Sequence, residues 1–308
     1  MAHSPTENHR ISSGQGKLQL AVWRQRAPRP NGRPPVLYVH GATFGATLAF
    51  GHRFDGHSWA DNLNDAGFDA WGFDFLGYDQ SDRYPEMALP AAAHAPLGRA
   101  PAAAPQIGAV VDFIVTQTGI SQINLLAHSW GNIAASRYAI KSPQRVARLA
   151  MFAPILRGVQ TPAVELPAWQ LVTIEAQWTR FKEDVPAGHA PVLSRAHFDP
   201  WAQAYLESDP ASRDREPPAV QVPCGPAADI GAAARGELPY DPRQLQAPLL
   251  VVRGAWDHLC TDADVARLFA ALAPATPHRD AVIPAATHLM HLEQNRFSLY
   301  QATREFFS

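Results

Sequence analysis

The sequence predicts an α/β fold with a mostly parallel central sheet, flanked by helices and carrying a largely helical cap. Three observations predict it. Short, nearly continuous apolar runs recur along the chain, helix-like segments lie between them, and one long stretch interrupts the alternation. Apolar runs of this kind are typical of parallel strands that helices cover on both faces. In such folds, ligand sites lie beyond the carboxyl ends of the strands.

Each element follows from its local pattern. Six apolar runs are predicted strands, at residues 35–41, 68–75, 123–129, 148–154, 248–254 and 280–286. Five segments between or after them are predicted helices, at residues 58–66, 106–117, 131–141, 263–272 and 293–307. The Ala- and Pro-rich segment 84–105 is predicted to be a long loop, because a helix does not readily continue through its prolines.

The domain organisation follows from length and from the point where the strand pattern stops. A chain of 308 residues is long enough for one large core, and it contains nothing that resembles a linker between two cores. Residues 1–156 and 241–308 are predicted to form this core. Residues 157–240, rich in aromatic residues and prolines, are predicted to form the cap as an insertion.

Composition limits the partners. With 26 basic and 28 acidic residues the net charge is −2, which gives no electrostatic reason to expect nucleic acid or an anionic membrane. No run approaches the roughly 18 apolar residues of a membrane span, and the N-terminus is polar, so a soluble, cytoplasmic protein with a small-molecule substrate is expected. Oligomeric state is left open. Cys224 and Cys260 are expected to be unpaired thiols, with one bridge as the alternative.

Two serines lie between small residues, Ser129 in LLAHSWGNIAA and Ser58 in GHSWA. Ser129 follows an apolar run and precedes a helix with small residues, which is the strand, sharp turn and helix context of a nucleophile elbow. Gly131 meets the need for a small residue after the serine, and Ala127 replaces the glycine that is usual before it. Ser58 lacks a preceding strand and begins Ser-x-x-Asp, a variant of the capping box. Ser129 is therefore the predicted nucleophile, and Ser58 a predicted helix N-cap.

A serine hydroxyl needs a base to take its proton and a group that orients the base. Asp257, just past the fifth predicted strand, is the predicted acid, and His288, just past the sixth, is the predicted base. The rival Asp262 is assigned to the N-cap or first turn of the next helix. The rival His291 lies three residues further, at the approach to the final helix. His-x-x-His-x-Glu lacks the two-histidine spacing of a zinc helix, so no metal or cofactor is predicted.

Acyl transfer also needs donors for the oxyanion of the tetrahedral intermediate. The backbone N–H of Trp130, directly after Ser129, and that of Ala42, in the turn after the first predicted strand, are the predicted donors. Gly41 lets this backbone approach closely. His40 is predicted to be structural, hydrogen-bonding the loop.

Five motifs occur together across nearly the whole chain: the loop at His40-Gly41, FDFLGYDQSD at 73–82, the elbow at Ser129, the acid Asp257, and THLMHLE around His288. In order and spacing they resemble those of the α/β-hydrolase fold superfamily, here a serine hydrolase with a cap insertion. Three features depart from the usual pattern: Ala127 in the elbow, Asn132 where a second glycine is frequent, and Ala286-Thr287 where Ala-Gly often precedes the histidine.

The resemblance implies a Ser-His-Asp mechanism through an acyl-serine. Serine as nucleophile disfavours haloalkane dehalogenases and most epoxide hydrolases of the superfamily, which use an aspartate. A carboxylic ester is the predicted substrate, because alkoxide leaving groups need less help than amines. Alternatives are an amidase, lactonase or thioesterase of the same mechanism, a C–C bond hydrolase, and a non-catalytic small-molecule receptor, which fold analogy does not separate.

The substrate is predicted to carry an apolar or aromatic group, because aromatic side chains offer large contact areas. Three aromatic residues of the cap are predicted to bind it: Trp169, Trp178 and Phe181. The alternative is that these rings hold the cap onto the sheet. Three arginines are candidates to pair with a substrate carboxylate, or else are solvated surface residues: Arg157, Arg180 and Arg195.

Overall fold

A computed structural model describes residues 4–156 and 164–308. The strands of the described chain are β1 (Thr6–Ser12), β2 (Gln19–Gln25), β3 (Val36–Val39), β4 (Ala70–Phe73), β5 (Ile123–His128), β6 (Val146–Phe152), β7 (Trp169–Thr173), β8 (Ala219–Pro223), β9 (Leu249–Gly254) and β10 (His278–Ile283). Its α-helices are α1 (Ala46–Ala49), α2 (Trp59–Asp65), α3 (Ala100–Thr118), α4 (Gly131–Lys141), α5 (Ile174–Arg180), α6 (Arg195–Glu207), α7 (Gly225–Ala234), α8 (Asp262–Ala271) and α9 (Arg296–Phe307).

The main sheet has the strand order β1-β2-β4-β3-β5-β6-β9-β10. Strand β2 runs antiparallel to β1 and β4, and every neighbouring pair from β4 to β10 is parallel. The inner strands β3 to β6 carry apolar side chains that are almost entirely buried, as the near-continuous apolar runs predict. The predicted α/β fold class, a mostly parallel sheet flanked by helices, is confirmed.

The N-terminal hairpin of β1 and β2 is not among the predicted strands. Strand β1 has the sequence TENHRIS, with exposed and half-buried residues in alternation, because it is an edge strand with one side toward solvent. Its polar composition gives no apolar run to detect. The hairpin widens the sheet at the edge opposite β10 and lies far in strand order from β5, which precedes Ser129.

The prediction of a loop over residues 84–105 is wrong for its last six residues, which belong to α3. Short 3₁₀ helices occupy Pro85–Ala88 and Ala91–Ala93, and α3 begins at Ala100, so it includes Pro101 and Pro105. Proline in the first helical turn costs little, since the N–H groups there have no partner within the helix. Pro101 lies in this first turn, whereas Pro105 lies inside the helix, which continues through it to Thr118.

The chain between β6 and β9 forms three further helices and a second sheet. Strands β7 and β8 pair antiparallel, and α5, α6 and α7 accompany them. Helix α6 is anchored to the core, since the Trp201 indole N–H donates to the Leu48 carbonyl oxygen at 2.9 Å. Helix α7 packs so closely that a Cβ on Gly225 would lie 2.2 Å from the Leu97 oxygen. The cap bounds 157–240 stay a prediction, and their first seven residues lie outside the described chain.

Two capping boxes fix helices near the site. In α2 the Ser58 hydroxyl accepts from the Asp61 N–H at 3.0 Å, and the Asp61 carboxylate accepts from the Ser58 N–H at 2.9 Å. The structural role predicted for Ser58 agrees with these contacts. In α8 the N-cap is Thr261, paired with Asp264, so Asp262 lies in the first turn.

Two further observations concern membrane-spanning helices and the cysteine thiols. No helix in the ranges 4–156 and 164–308 combines the length and the apolar character needed to cross a membrane. The thiols of Cys224 and Cys260 are both buried and free.

Replacing Ser58 tests its capping role. Ser58→Ala removes one half of a buried capping box, and the free energy of unfolding should fall by about 1 kcal/mol. Urea unfolding of the wild type and the variant measures this change. The remaining activity per folded molecule should match the wild type, and a loss as large as that of Ser129→Ala would contradict the assignment.

Candidate active site

Ser129 lies at the turn between β5 and α4, in the left-handed region with φ 54°. Its N–H donates to the Phe152 carbonyl oxygen at 3.0 Å, which ties the turn to the end of β6. A Cβ on Gly131 would lie 2.3 Å from the His40 carbonyl oxygen, so only glycine lets α4 start this close to β3. The Asn132 amide donates to the Ser129 and Phe152 oxygens, at 3.2 and 3.1 Å. Asn132, where a second glycine is frequent, therefore stabilises the turn at Ser129 through its side chain.

The loop after β3 passes directly beside Ser129. A Cβ on Gly41 would lie 3.2 Å from the Ser129 Cβ, so glycine lets the backbone reach the nucleophile. The Tyr78 hydroxyl donates to the Ala42 carbonyl oxygen at 2.6 Å and so fixes this peptide. In the described chain, the N–H groups of Ala42 and Trp130 donate to no protein acceptor. Both predicted oxyanion donors thus flank the elbow with uncommitted N–H groups.

The structure brings Asp257 and His288 to Ser129. The His288 Nε2 lies 2.8 Å from the Ser129 Oγ, and its Nδ1 lies 3.1 and 3.2 Å from the two Asp257 carboxylate oxygens. The Asp257 Oδ1 also accepts from the N–H groups of Leu259 and Cys260, at 2.9 and 3.2 Å. These bonds orient the carboxylate toward Nδ1. Because Nδ1 faces an acceptor, Nε2 is free to accept the Ser129 proton.

Tight contact between two loops sets the spacing of the acid and the base. The Ala255 N–H donates to the Ile283 oxygen at 2.8 Å, and the Trp256 N–H donates to the Ala286 oxygen at 3.0 Å. A Cβ on Gly254 would lie 2.1 Å from the Ala286 oxygen, so glycine at the end of β9 is required. The loop with Asp257 and the loop with His288 therefore form one hydrogen-bonded unit.

A buried carboxyl group supports the His288 loop from behind. The Glu293 carboxylate accepts from the N–H of Thr287 at 3.1 Å and also contacts its hydroxyl. The Thr287 Oγ1 accepts in turn from the Leu289 N–H at 3.2 Å. Thr287, where glycine is frequent, thus gives the loop a side-chain anchor. Burial raises the pKa of Glu293 to about 7, and the bonds from Thr287 oppose that rise.

Three other histidines surround the site without joining the relay. His40 accepts the Phe75 N–H at its Nε2 (3.0 Å), and burial lowers the pKa of His40 to about 4, which supports its predicted structural role. His128 lies 3.2 Å, through its Nε2, from the His288 carbonyl oxygen. His291, the rival base, is fully buried, and in the described chain its ring nitrogens have no hydrogen-bond partner. It is His288, and not His291, that meets Ser129.

Sequence reasoning missed Asp184, a cap residue at the site. Its carboxylate accepts from the His288 N–H at 3.2 Å and pairs with the His258 ring, next to Asp257. Burial lowers the pKa of His258, but the hydrogen bond and charge of Asp184 outweigh it and leave that pKa raised. Asp184 thus joins the segment between β6 and β9 to the loop of Asp257 and to the loop of His288. No sequence pattern marks it, because it lies 104 positions from His288.

Within the described ranges, one group of three residues has the side chains to hold a metal ion: Glu183, Asp184 and His258. Their potential ligand atoms lie within 4.8 Å of one another. The Asp184 carboxylate is already engaged by His258 and by the His288 N–H. The cluster is therefore satisfied as a hydrogen-bonded contact between cap and core.

The predicted substrate-binding aromatics lie in different surroundings. Trp178 packs on Phe198 and beneath the Arg195 guanidinium, which lies 4.0 Å from its ring centroid. Trp169 donates its indole N–H to the Leu89 oxygen at 3.0 Å. Phe181 meets Phe44 edge to face at 6.2 Å, and so touches the loop after β3. Of the three, Phe181 is the one placed beside the candidate site.

Trp130 is also used for packing through its side chain. The indole is fully buried, meets Phe75 edge to face at 5.3 Å, and donates to the Asp229 carboxylate of α7 at 3.0 Å. Its backbone N–H faces the elbow while its ring secures α7.

Replacing Asp184 tests the contact between cap and loops. Asp184→Asn keeps an acceptor for the His288 N–H but removes the charge opposite His258, and stability should fall by about 1 kcal/mol or less, since His258 is half exposed. A raised histidine pKa stabilises the folded protein below that pKa and ceases to do so as pH rises through it. Urea unfolding from pH 5.5 to 9 should therefore show the difference shrinking as pH rises. A constant difference, or one matched by Glu183→Gln, would contradict the role.

Replacing Glu293 tests the buried carboxyl group. Its pKa is raised from 4.5 to about 7 on folding, so the folded protein binds more protons than the unfolded chain between these values. Its contribution to the free energy of unfolding must then fall as pH rises from about 4.5 to about 7. Glu293→Gln should flatten this part of the stability profile, and an unchanged profile would contradict the assignment.

Comparisons with known proteins accord with this architecture. The sequence profile of a family described as the alpha/beta hydrolase fold matches residues 34–294. A search of curated proteins gave no match. Among solved structures, a thioesterase domain from the curacin biosynthetic pathway is 15% identical, with a TM-score of 0.62 and 99% of each chain covered.

Two further similar structures have different activities in their names. A thermophilic esterase from Thermogutta terrifontis is 20% identical, with a TM-score of 0.59 and 97% of each chain covered. An epoxide hydrolase from Vigna radiata is 13% identical, with a TM-score of 0.62 and coverage of 98% of this chain and 97% of that one. At these identities the likeness concerns the fold alone. The profile match extends over most of the sequence, and the chain belongs to the α/β-hydrolase fold family.

Proposed function

We propose that this protein is a serine hydrolase that cleaves a carboxylic ester through an acyl-serine intermediate. The observation that carries the proposal is the continuous relay from the Ser129 Oγ to the His288 Nε2, and from the His288 Nδ1 to the Asp257 carboxylate. Nucleophile, base and orienting acid with these contacts are the arrangement that activates a serine for acyl transfer.

In the first half of the reaction, His288 takes the proton from Ser129 as the Oγ attacks the ester carbonyl carbon. Asp257 stabilises the imidazolium that forms and holds Nδ1–H toward itself. The carbonyl oxygen becomes an oxyanion, and the N–H groups of Ala42 and Trp130 are the proposed donors to it. His288 then gives its proton to the departing alkoxide, which leaves as an alcohol and leaves the acyl group on Ser129.

The second half regenerates the serine. A water molecule gives a proton to His288 and attacks the acyl carbon, the same N–H donors stabilise the second oxyanion, and the proton returns to Ser129 as the carboxylic acid departs. The chemistry requires only acid–base and hydrogen-bonding groups that the chain itself provides. An aspartate nucleophile, typical of most epoxide hydrolases of the superfamily, is replaced here by Ser129, which favours acyl chemistry.

One contact in the structure supports the proposal that the substrate carries an apolar group. Phe181 and Phe44 meet where α5 approaches the loop after β3, and Phe44 stacks on His291 at 5.9 Å. Both rings are buried, and they bring an apolar surface of the α5 region against the loop that carries Ala42. Contact with Phe181 is therefore proposed for the apolar acyl or alcohol part, while contacts with Trp169 and Trp178 have less support.

The decisive variant is Ser129→Ala. Hydrolysis of p-nitrophenyl butyrate should fall by about 10⁴-fold to 10⁶-fold, because the acyl-transfer nucleophile is lost. Mass spectrometry of the wild type treated with a p-nitrophenyl phosphonate should show one covalent adduct, located on Ser129. An active, folded Ser129→Ala protein would refute the proposal.

Two histidine variants form a matched control. His288→Ala should lose activity nearly as completely as Ser129→Ala, while His291→Ala should retain the relay, because His291 does not contact Ser129. Circular dichroism establishes that each variant is folded. A dead His291→Ala beside an active His288→Ala would reverse the assignment of the base.

A further inference from the structure

The guanidinium of Arg180 reaches from the cap to the loop that carries Ala42. Arg180 is the last residue of α5, and its Nη1 donates to the Thr43 Oγ1 at 2.9 Å. Burial lowers the pKa of His128 and of His291, and the positive charge of Arg180 lowers both further. Arg180 thus contacts the loop that carries Ala42, unlike Arg195, which is half exposed and pairs with Asp199. Arg157 lies outside the described residues.

The charge of Arg180 lacks a direct counterion. Burial lowers the pKa of Arg180, and Glu183 and Asp184 raise it by longer-range attraction. No carboxylate of the described residues forms an ion pair with it, and Asp184 is engaged by His258. A guanidinium has five N–H donors and stays charged in proteins. In the described chain one side-chain hydrogen bond, to Thr43, uses this capacity.

Two uncharged polar side chains of the cap lie close to Arg180. Gln177 is one helical turn earlier on α5, and Tyr205 of α6 interacts with both Gln177 and Arg180. Both residues are fully buried. In the described chain, no group meets ordinary hydrogen-bond geometry with the Tyr205 hydroxyl or with either amide atom of Gln177, and the two side chains adjoin each other. Buried polar atoms are paired in the great majority of cases, so these side chains have hydrogen-bonding capacity that a ligand can use.

The position of this cluster is fixed by rigid contacts. The Tyr205 ring stacks on Trp201 at 5.2 Å, and Trp201 is bonded to the core through Leu48. Arg180 is bonded to Thr43, the residue after Ala42. The cluster of Gln177, Arg180 and Tyr205 thus stands beside the predicted oxyanion loop.

We propose that these three side chains form a subsite for a carboxylate group carried by the ester substrate. Arg180 provides a planar fork that matches a carboxylate, and Tyr205 O–H and the Gln177 amide N–H add two donors. A singly charged anion balances the single cation, while Glu183 and Asp184 nearby oppose a doubly charged phosphate. The substrate class is therefore a half-ester of a dicarboxylic acid. This inference rests on the proposed ester hydrolysis.

The test compares monomethyl adipate, which has a free carboxylate, with dimethyl adipate, which has the same chain without it. The wild type should prefer the monoester in kcat/KM. In Arg180→Gln this preference should fall about 10-fold to 100-fold, mainly through KM, because a charge-assisted hydrogen bond contributes about 1.5–3 kcal/mol. Arg180→Lys, which keeps the charge but lacks the fork, should be intermediate.

Two controls separate substrate binding from loop positioning. Arg195→Gln removes an arginine of the same cap that pairs with Asp199 at the surface, and it should leave the preference unchanged. Thr43→Val removes the bond that Arg180 makes to the loop, and should keep the preference whatever its effect on rate. If Arg180→Gln instead slows both esters equally, Arg180 only positions the loop and the subsite is refuted.

A binding measurement keeps the subsite distinct from the reaction. Hexanoate should raise the melting temperature of the wild type and of Ser129→Ala, and the shift should be lost in Arg180→Gln. If no ester is hydrolysed and this shift still depends on Arg180, the subsite stands and the proposed function fails. If esters are hydrolysed without preference for the monoester and without an Arg180-dependent shift, the subsite fails and the proposed function stands.

Discussion

The left-handed backbone of Ser129 is the constraint on which the site depends. A non-glycine residue with φ near 54° is strained by about 1 kcal/mol or more, so the surrounding structure must hold it there. The bond from Ser129 N–H to Phe152, the two bonds from the Asn132 amide, and the glycine at 131 provide that support. Without the sharp turn, the Ser129 side chain would project from a face of the sheet, as strand side chains do, and not from its carboxyl edge toward His288.

The parallel sheet converts this turn into a complete site. Strand β5 lies between β3 and β6, so the loop with Ala42 flanks the elbow on one side. The loops after β9 and β10 bring Asp257 and His288 from the other side, and the hydrogen bonds of Ala255 and Trp256 lock these two loops together. Because all of these loops leave the same carboxyl edge, Ser129, His288 and Asp257 meet within hydrogen-bonding distance, and the loop of Ala42 packs against Ser129.

The parts that sequence predicts are those with a local signature. The elbow at Ser129 has its small neighbours, and Asp257 and His288 each follow a strand, so both loops can be placed without coordinates. Asp184 has no such signature, because its role depends on the contact between a distant segment of the chain and the His288 loop. Strand β1 and the start of α3 are not predicted for a similar reason. An exposed edge strand lacks the apolar pattern that usually marks a strand, and α3 contains prolines, which usually argue against a helix.

Burial decides which histidines near the site are neutral and which groups carry charge. Burial lowers the pKa of His40, His128 and His291, so these imidazoles are neutral near pH 7 and pack as aromatic rings. His128, for example, stacks on Phe152 at 4.4 Å and 15°. The charged groups near the relay include Asp184 with His258, Glu293 with its pKa of about 7, and Arg180. In apolar surroundings a carboxylate bound by Arg180 is stabilised more than in water, which links the cap's cation to the choice of substrate.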